Sequence, residues 1–199
     1  MKSAIALLTL VLSLKGFALT TGTPAPDFKL KGIAAKGKEV SLSELKGKTI
    51  VLEWLNHGCP FVRKHYDSGN MQALQKKSVE GNVLWFSIVS SAPGKQGHVD
   101  ETGALKEKMD NKSSATDILL DPSGKVGQLY GAKTTPAMYI IDKTGVLVYQ
   151  GAIDDRPDTE KLSIASAKNY VSAALDELSS GKKVTTHTTK SYGCAVKYQ

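Results

Sequence analysis

Cysteine is nearly absent from this chain: 199 residues contain two, Cys59 and Cys194. Two thiols allow a single intramolecular pairing. Long apolar runs are also missing, except at the start, where Lys2 precedes the uncharged segment from Ala4 to Leu14. At about eleven residues that segment is too short to cross a bilayer comfortably. Followed by Lys15 and the small-residue pattern Gly16-Phe17-Ala18, it has the order of a secretory signal peptide cleaved near Ala18. The reading is therefore a signal segment over 1–18 and a periplasmic or secreted protein, attached to a membrane only if that segment is retained. The chain lacks a basic stripe interleaved with aromatics, so a nucleic-acid partner is not expected. Internal repeats and low-complexity blocks are missing as well.

What is present suits one domain with a real core: 41% apolar, 7% aromatic and 23% charged residues. The formal charge is +7, and loss of Lys2 and Lys15 with the leader leaves +5, much of it on scattered single cations of the kind found on a solvated surface. Residues 19–181 read as the domain and 182–199, which carry Cys194, as an extended tail. After a Pro-containing lead-in and a Gly37-Lys38 turn, Val40 to Lys48 suggests a strand end and one helical turn. Thr49 to Leu55 is a buried strand, interrupted chemically only by Glu53. The segment from Pro60 to Lys77 is helical, broken near Gly69-Asn70. Strands follow at Asn82–Val89 and Ile118–Leu120, with helices at Asp100–Met109 and Pro122–Tyr130. Ala137–Ile141 and Val146–Gln150 form a hairpin, and Lys161 to Leu178 predicts one long amphipathic helix ending at Gly181. This order implies an α/β fold: a mixed central sheet covered by helices, with an extended C-terminal tail.

The chemistry centres on Cys59. The run Val51-Leu52-Glu53-Trp54-Leu55-Asn56-His57-Gly58-Cys59-Pro60 carries a strand into a helix start, where free N–H groups and the helix dipole favour a thiolate. His57, two residues earlier, either turns its ring toward the sulfur or points to solvent. Arg63 and Lys64 add positive potential or form the wet face of the helix, and His65 has no assigned role. Glu53, inside a buried strand, is protonated or paired. It either exchanges a proton with a thiol, or is an acid on the exposed end of the strand, or one paired with a lysine.

Between about Thr23 and Gly151 these features resemble the thioredoxin fold, and more narrowly the redoxin family of alkyl hydroperoxide reductase and thiol-specific antioxidant (peroxiredoxin-like) proteins. The extension through Cys194 is similar to an exported subgroup with a C-terminal cysteine. The resemblance places Cys59 at the first cysteine of the thioredoxin C-x-x-C motif, although the second position is Val62. It implies that Glu53 corresponds to the buried thioredoxin acid and Trp54 to an aromatic near the site, unless Trp54 is simply core. It also implies a cis bond at Thr135-Pro136 that faces the nucleophile and presents backbone to an extended substrate; the alternative is a trans proline opening a strand. The peroxiredoxin positions three and seven residues before the nucleophile, threonine and proline in that family, are here Asn56 and Leu52.

Cys194 then has two competing roles. It can resolve a mixed disulfide or sulfenic acid on Cys59, or staple it. The leading expectation is an exported thiol-disulfide oxidoreductase with Cys59 as nucleophile, Cys194 as resolving thiol, Glu53 and His57 tuning protons, and Thr135 and Pro136 binding substrate. Its partners would be a disulfide or peroxide substrate and an external thiol reductant, with no cofactor and no metal. The alternatives are a thiol peroxidase using the same cysteines and a copper-binding or interaction protein. The last is disfavoured because copper carriers of this fold use two cysteines four residues apart, and the position four after Cys59 is Arg63.

Overall fold

The computed structural model describes residues 19–34 and 38–198. The expected signal segment and Gly37 of the expected turn lie outside the described residues. A seven-stranded mixed sheet organises the fold, in the order β2-β1-β5-β4-β3-β7-β8. Its strands are β1 (Lys29–Gly32), β2 (Glu39–Ser41), β3 (Thr49–Trp54), β4 (Val83–Val89), β5 (Asp117–Leu120), β7 (Ala137–Ile141) and β8 (Leu147–Gly151). β3 lies parallel to β4 on one side and antiparallel to β7 on the other.

All six residues of β3 are buried, and the period-two alternation of a strand sends them to two different cores. Val51, with Leu55 just beyond the strand, joins Val62, Tyr66, Met71, Trp85, Met138 and Val171. Ile50, Leu52 and Trp54 join Phe86, Ile88, Val126, Tyr130 and Tyr139 on the opposite face. A sheet buried on both faces explains why β3 reads as a nearly continuous apolar run. Glu53 occupies the first of these faces, opposite Ser87 of β4 and Met138 of β7.

The helices follow the sequence in most places. α1 (Pro60–Asp67) and α2 (Asn70–Glu80) are separated by Gly69 at φ 78°, the expected break. α3 (Glu101–Asp110) is capped by Asp100, whose side chain accepts from the Gly103 N–H. α4 (Lys125–Leu129) begins three residues later than expected, after Gly124 at φ 68°. The long helix expected over Lys161–Leu178 is not formed. A 3-10 segment covers Lys161–Ser166, and α5 (Tyr170–Ser179) starts only after Asn169, whose side chain accepts from the Ser172 N–H. Side-chain competition explains the break: Ser163 Oγ donates to Asp158 Oδ1, and Asn169 caps a new helix rather than continuing an old one.

The tail folds back onto the domain. Thr189 N–H donates to Gln150 O at 3.1 Å, and Gln150 N–H donates to His187 O at 3.0 Å. A two-residue strand, β9 (Cys194–Ala195), pairs antiparallel with β6 (Thr134–Thr135), matching Thr135 to Cys194. Beyond it, Val196 N–H donates to Lys133 O, Lys197 O accepts from Ala92 N–H, and Tyr198 Oη donates to Ala132 O. Among the described residues no helix is long and apolar enough to cross a membrane.

Candidate active site

Cys59 is the N-cap residue of α1, and Pro60 takes the first helical position, where its missing N–H costs nothing. The Cys59 carbonyl accepts from Val62 and Arg63, closing the first helical turn. The side chain is fully buried. Its thiol donates to Thr135 O at 3.1 Å, and the Cys194 N–H donates to the Cys59 sulfur at 3.3 Å. The Thr135-Pro136 bond is cis, as expected. Four of the six residues singled out in the sequence, Cys59, Cys194, Thr135 and Pro136, therefore meet at one point. Both cysteines are free thiols.

The two sulfurs are electrostatically unequal. Burial pushes the Cys59 thiol up, but the Cys194 thiol, the N–H groups of Val62 and Cys194, and the Thr135 side chain together outweigh it and hold Cys59 below its ordinary value. Cys194 is pushed up to about 11, by burial first and then by donating to and facing Cys59. Cys59 is thus the better thiolate and the better leaving group, and Cys194 is the partly exposed sulfur.

Gly193 makes this contact feasible. It sits at φ 129°, and a Cβ there would stand 2.0 Å from Thr135 O. Only glycine lets the tail backbone approach the cis-proline strand so closely.

Glu53 and His57 are placed elsewhere. Glu53 lies at the centre of a buried polar cluster: it accepts from Trp85 Nε1 and Ser87 Oγ, each at 2.8 Å, and from Tyr66 Oη and Gln75 Nε2. Gln75 Oε1 in turn accepts from Ser113 Oγ and the Ser114 N–H. Burial raises the Glu53 carboxyl, and the donors of Trp85, Ser87, Tyr66 and Gln75 oppose that rise. None of its hydrogen bonds reaches a sulfur, so any proton exchange with Cys59 is indirect. His57 packs edge-on against Tyr66, with ring centroids 4.7 Å apart. Its ring is buried with neither nitrogen hydrogen-bonded, Nε2 lying 3.9 Å from Glu107 Oε2, and burial followed by the Arg63 charge lowers it to about 4. It bonds neither cysteine.

Sequence reasoning missed several groups. Lys64 is buried rather than wet, donating to Arg156 O at 2.6 Å and Asp158 Oδ1 at 3.3 Å. His65 is fully buried between Asn70 and Tyr192, whose hydroxyl donates to Asp154 Oδ1 at 2.5 Å. Trp54 is core, with its indole N–H on Ser90 Oγ. The one local signal for the tail contact was the glycine directly before Cys194.

A model of the AhpC/TSA family matches residues 21–150. No curated protein sequence matches the chain. Among solved structures, a hypothetical protein from Sinorhizobium meliloti 1021 aligns over 92% of this chain and 97% of its own, at 25% identity and a TM-score of 0.75. A putative thiol:disulfide interchange protein DsbE from Chlorobium tepidum covers 73% and 94%, at 27% identity and 0.54. The pneumococcal exposed lipoprotein thioredoxin of Streptococcus pneumoniae covers 71% and 96%, at 27% identity and 0.50. The fold is thioredoxin-like, as the sequence suggested.

Proposed function

Since this chain belongs to the AhpC/TSA family, an oxidoreductase family, we propose that it is an exported thiol-disulfide oxidoreductase whose working pair is Cys59 and Cys194. The observation that carries this reading is the Cys194 N–H on the Cys59 sulfur beside the cis Thr135-Pro136 bond, with both thiols free.

In the reaction, the Cys59 thiolate attacks a substrate disulfide. The substrate S–S bond breaks, one sulfur joins Cys59 and the other leaves as a thiol. As the tail returns to its pairing with Thr135, Cys194 attacks the Cys59 sulfur. The second substrate thiol departs with the Cys194 proton, and a Cys59–Cys194 disulfide remains. An external thiol reductant restores the dithiol. Thr135 and Pro136 hold the tail strand in the resting state and an extended substrate when the tail lifts. The buried position of Cys59 requires that movement. Glu53 and His57 both touch Tyr66 and serve as the buried support beneath the start of α1. Export rests on the leader pattern of residues 1–18. The exposed placement of the pneumococcal lipoprotein, stated of that protein, supports the same reading.

Mixing the reduced protein with glutathione disulfide and following cysteine pairing by non-reducing peptide mass spectrometry tests the reading. Wild type is expected to form the Cys59–Cys194 bond, and Cys194→Ser to accumulate a mixed disulfide on Cys59. Cys59→Ser should do neither. Hydrogen peroxide consumption no faster than that of free cysteine is the companion expectation. Consumption well above it, without glutathione exchange, would make the protein a thiol peroxidase instead.

A further inference from the structure

The tail crosses Cys59 as a strap fastened by a tyrosine on each side of Cys194. Beyond Cys194, Tyr198 Oη donates to Ala132 O at 2.6 Å. Its side chain lies against Gly124 and Gly127, where any Cβ would collide with it. Before Cys194, Tyr192 sits in a different kind of socket. Its Oη donates to Asp154 Oδ1 at 2.5 Å and, with its proton so committed, accepts from His65 Nε2 at 3.1 Å. Its ring packs on Phe61, centroids 5.8 Å apart, and Lys64 Nζ stands 5.5 Å from the ring centre. Phe61, Lys64 and His65 all belong to α1, the helix that Cys59 caps. Tyr192 therefore fixes the tail to the nucleophile's own helix, two residues before Cys194. The two fastenings differ in what replaces them when the tail lifts. The β9 backbone pairs with Thr134 and Thr135, and an extended substrate on the same edge supplies equivalent bonds. Nothing in a substrate replaces Tyr192. Asp154 and His65 are buried, and Asp154 Oδ2 has no hydrogen-bond partner already. Withdrawing the tyrosine would leave Asp154 Oδ1 with the Arg156 N–H alone and take from His65 Nε2 the hydroxyl it bonds. Stripping partners from buried polar groups is costly.

We infer that Tyr192 is a positioning residue for the resolving step: it stays docked on α1 while residues 193–198 lift at Gly193, and so keeps Cys194 within reach of a mixed disulfide on Cys59. The inference rests on the proposed function and adds to it the residue that delivers the second thiol. In that step the Cys194 sulfur attacks the Cys59 sulfur, the bond to the substrate breaks, and the substrate leaves as a thiol with the Cys194 proton. Gly193, at φ 129°, is the hinge between the docked and the lifting parts, since glycine alone turns freely through that region. With Tyr192 docked, two residues of chain let Cys194 range about 7 Å from its anchor. With Tyr192 loose, the next fixed point upstream is Thr189, whose Oγ1 accepts from the Ala152 N–H at 2.9 Å. Five residues then separate anchor and thiol, a reach of about 17 Å. Effective concentration falls roughly as the −3/2 power of tether length, which is about fourfold here.

The test equilibrates the protein with mixtures of glutathione and glutathione disulfide, quenches in acid and analyses the peptides by mass spectrometry. The ratio of internal to mixed disulfide at Cys59, multiplied by the free glutathione concentration, is the effective concentration of Cys194. Tyr192→Phe, which keeps the ring and removes the hydroxyl, should lower it about fourfold. Tyr198→Phe, which loosens the strap beyond Cys194, should leave it within about twofold of wild type. In the Cys194→Ser background, Tyr192→Phe should react with glutathione disulfide at Cys59 at least as fast as its parent, because a looser tail uncovers Cys59 more often. General loss of packing would not divide the two steps in this way. An unchanged effective concentration in Tyr192→Phe would overturn the inference, as would an equal fall in Tyr198→Phe or a slowing of both steps together. Should Tyr192→Phe fail to fold, two glycines inserted between Tyr192 and Gly193 lengthen the tether with the tyrosine in place. A fall of about threefold is then expected, and no fall overturns the inference. Absence of the internal disulfide in wild type sinks the proposed function, whereas its formation with no change in Tyr192→Phe sinks the anchor alone.

Discussion

The Cys194 backbone N–H donates to the Cys59 sulfur across 135 residues of sequence. A contact of that span holds a thiol at the buried start of α1 against a strand at the end of the chain, so formation of a disulfide needs no refolding of the domain. Closing so long a loop should stabilise the oxidised protein by about 5 kcal/mol in the chain-entropy account, less any native strain. Urea unfolding of the oxidised wild type against Cys194→Ser measures this. A difference below about 1 kcal/mol would mean that strain cancels the entropic gain or that the reduced unfolded chain is already compact.

The inequality of the two thiols gives a second expectation. Thiolate absorbance near 240 nm, followed against pH, should show Cys59 ionising below the ordinary cysteine value and Cys194 at about 11. Replacing Cys194 with alanine removes its thiol as a donor to Cys59. Burial then weighs more heavily, and the Cys59 transition should move upward. An unchanged Cys59 transition in that variant would assign the thiolate to the backbone donors alone.

Gly193→Ala tests the fit of the tail. The new Cβ would meet Thr135 O at 2.0 Å with the backbone at φ 129°, so the β6–β9 pair should open. The expected cost is about 1–3 kcal/mol, with disulfide formation slowed at least tenfold and faster protease cleavage within 182–199. Normal disulfide kinetics in this variant would show that the pairing of Thr135 with Cys194 is dispensable.

How far these features were legible in the sequence follows from their range. The nucleophile was local: an apolar strand, Gly58, Cys59 and Pro60 define a helix start without help from the rest of the chain. The hairpin from Ala137 to Gln150 was legible for the same reason, whereas the cis Thr135-Pro136 bond was expected from the family resemblance alone. The surroundings of Glu53 were not, because Tyr66, Gln75, Trp85 and Ser87 come from α1, α2 and β4 and converge only when those elements pack. Lys64 looked like a wet helical residue because periodicity cannot see that the segment 154–163 and Tyr192 would cover it. Lys161 to Leu178 looked like one helix because apolar spacing outweighed the serines and Asn169, whose side chains bind backbone and end it. The tail was recognised as extended, but its pairing partner depended on register across the whole fold.

His57 supplies the last prediction, because its burial has a definite consequence for pH. Both nitrogens are buried without a hydrogen bond, Nε2 standing 3.9 Å from Glu107 Oε2, and burial followed by the Arg63 charge lowers the ring to about 4. Between that value and the unfolded value of 6.5, the unfolded chain binds a proton that the native state refuses. Stability should therefore rise with pH across this window and fall as pH drops through it, the contribution of this group being lost in full below about 4. His65, also lowered to about 4, contributes in the same direction. Urea midpoints between pH 4 and 7 measure the slope, on the order set by two groups displaced from their ordinary range. His57→Phe should flatten it by about half while keeping the aromatic contact with Tyr66. Because it also removes two unsatisfied buried nitrogens, it should be neutral or stabilising at pH 5. If His57→Phe instead costs stability at pH 5 and leaves the slope intact, the ring is hydrogen-bonded in solution and the proton-linked stability belongs to His65. A fall in glutathione-disulfide turnover for this stable variant would place His57 in the chemistry. Unchanged turnover would leave it a buried aromatic whose only effect is on the pH dependence of folding.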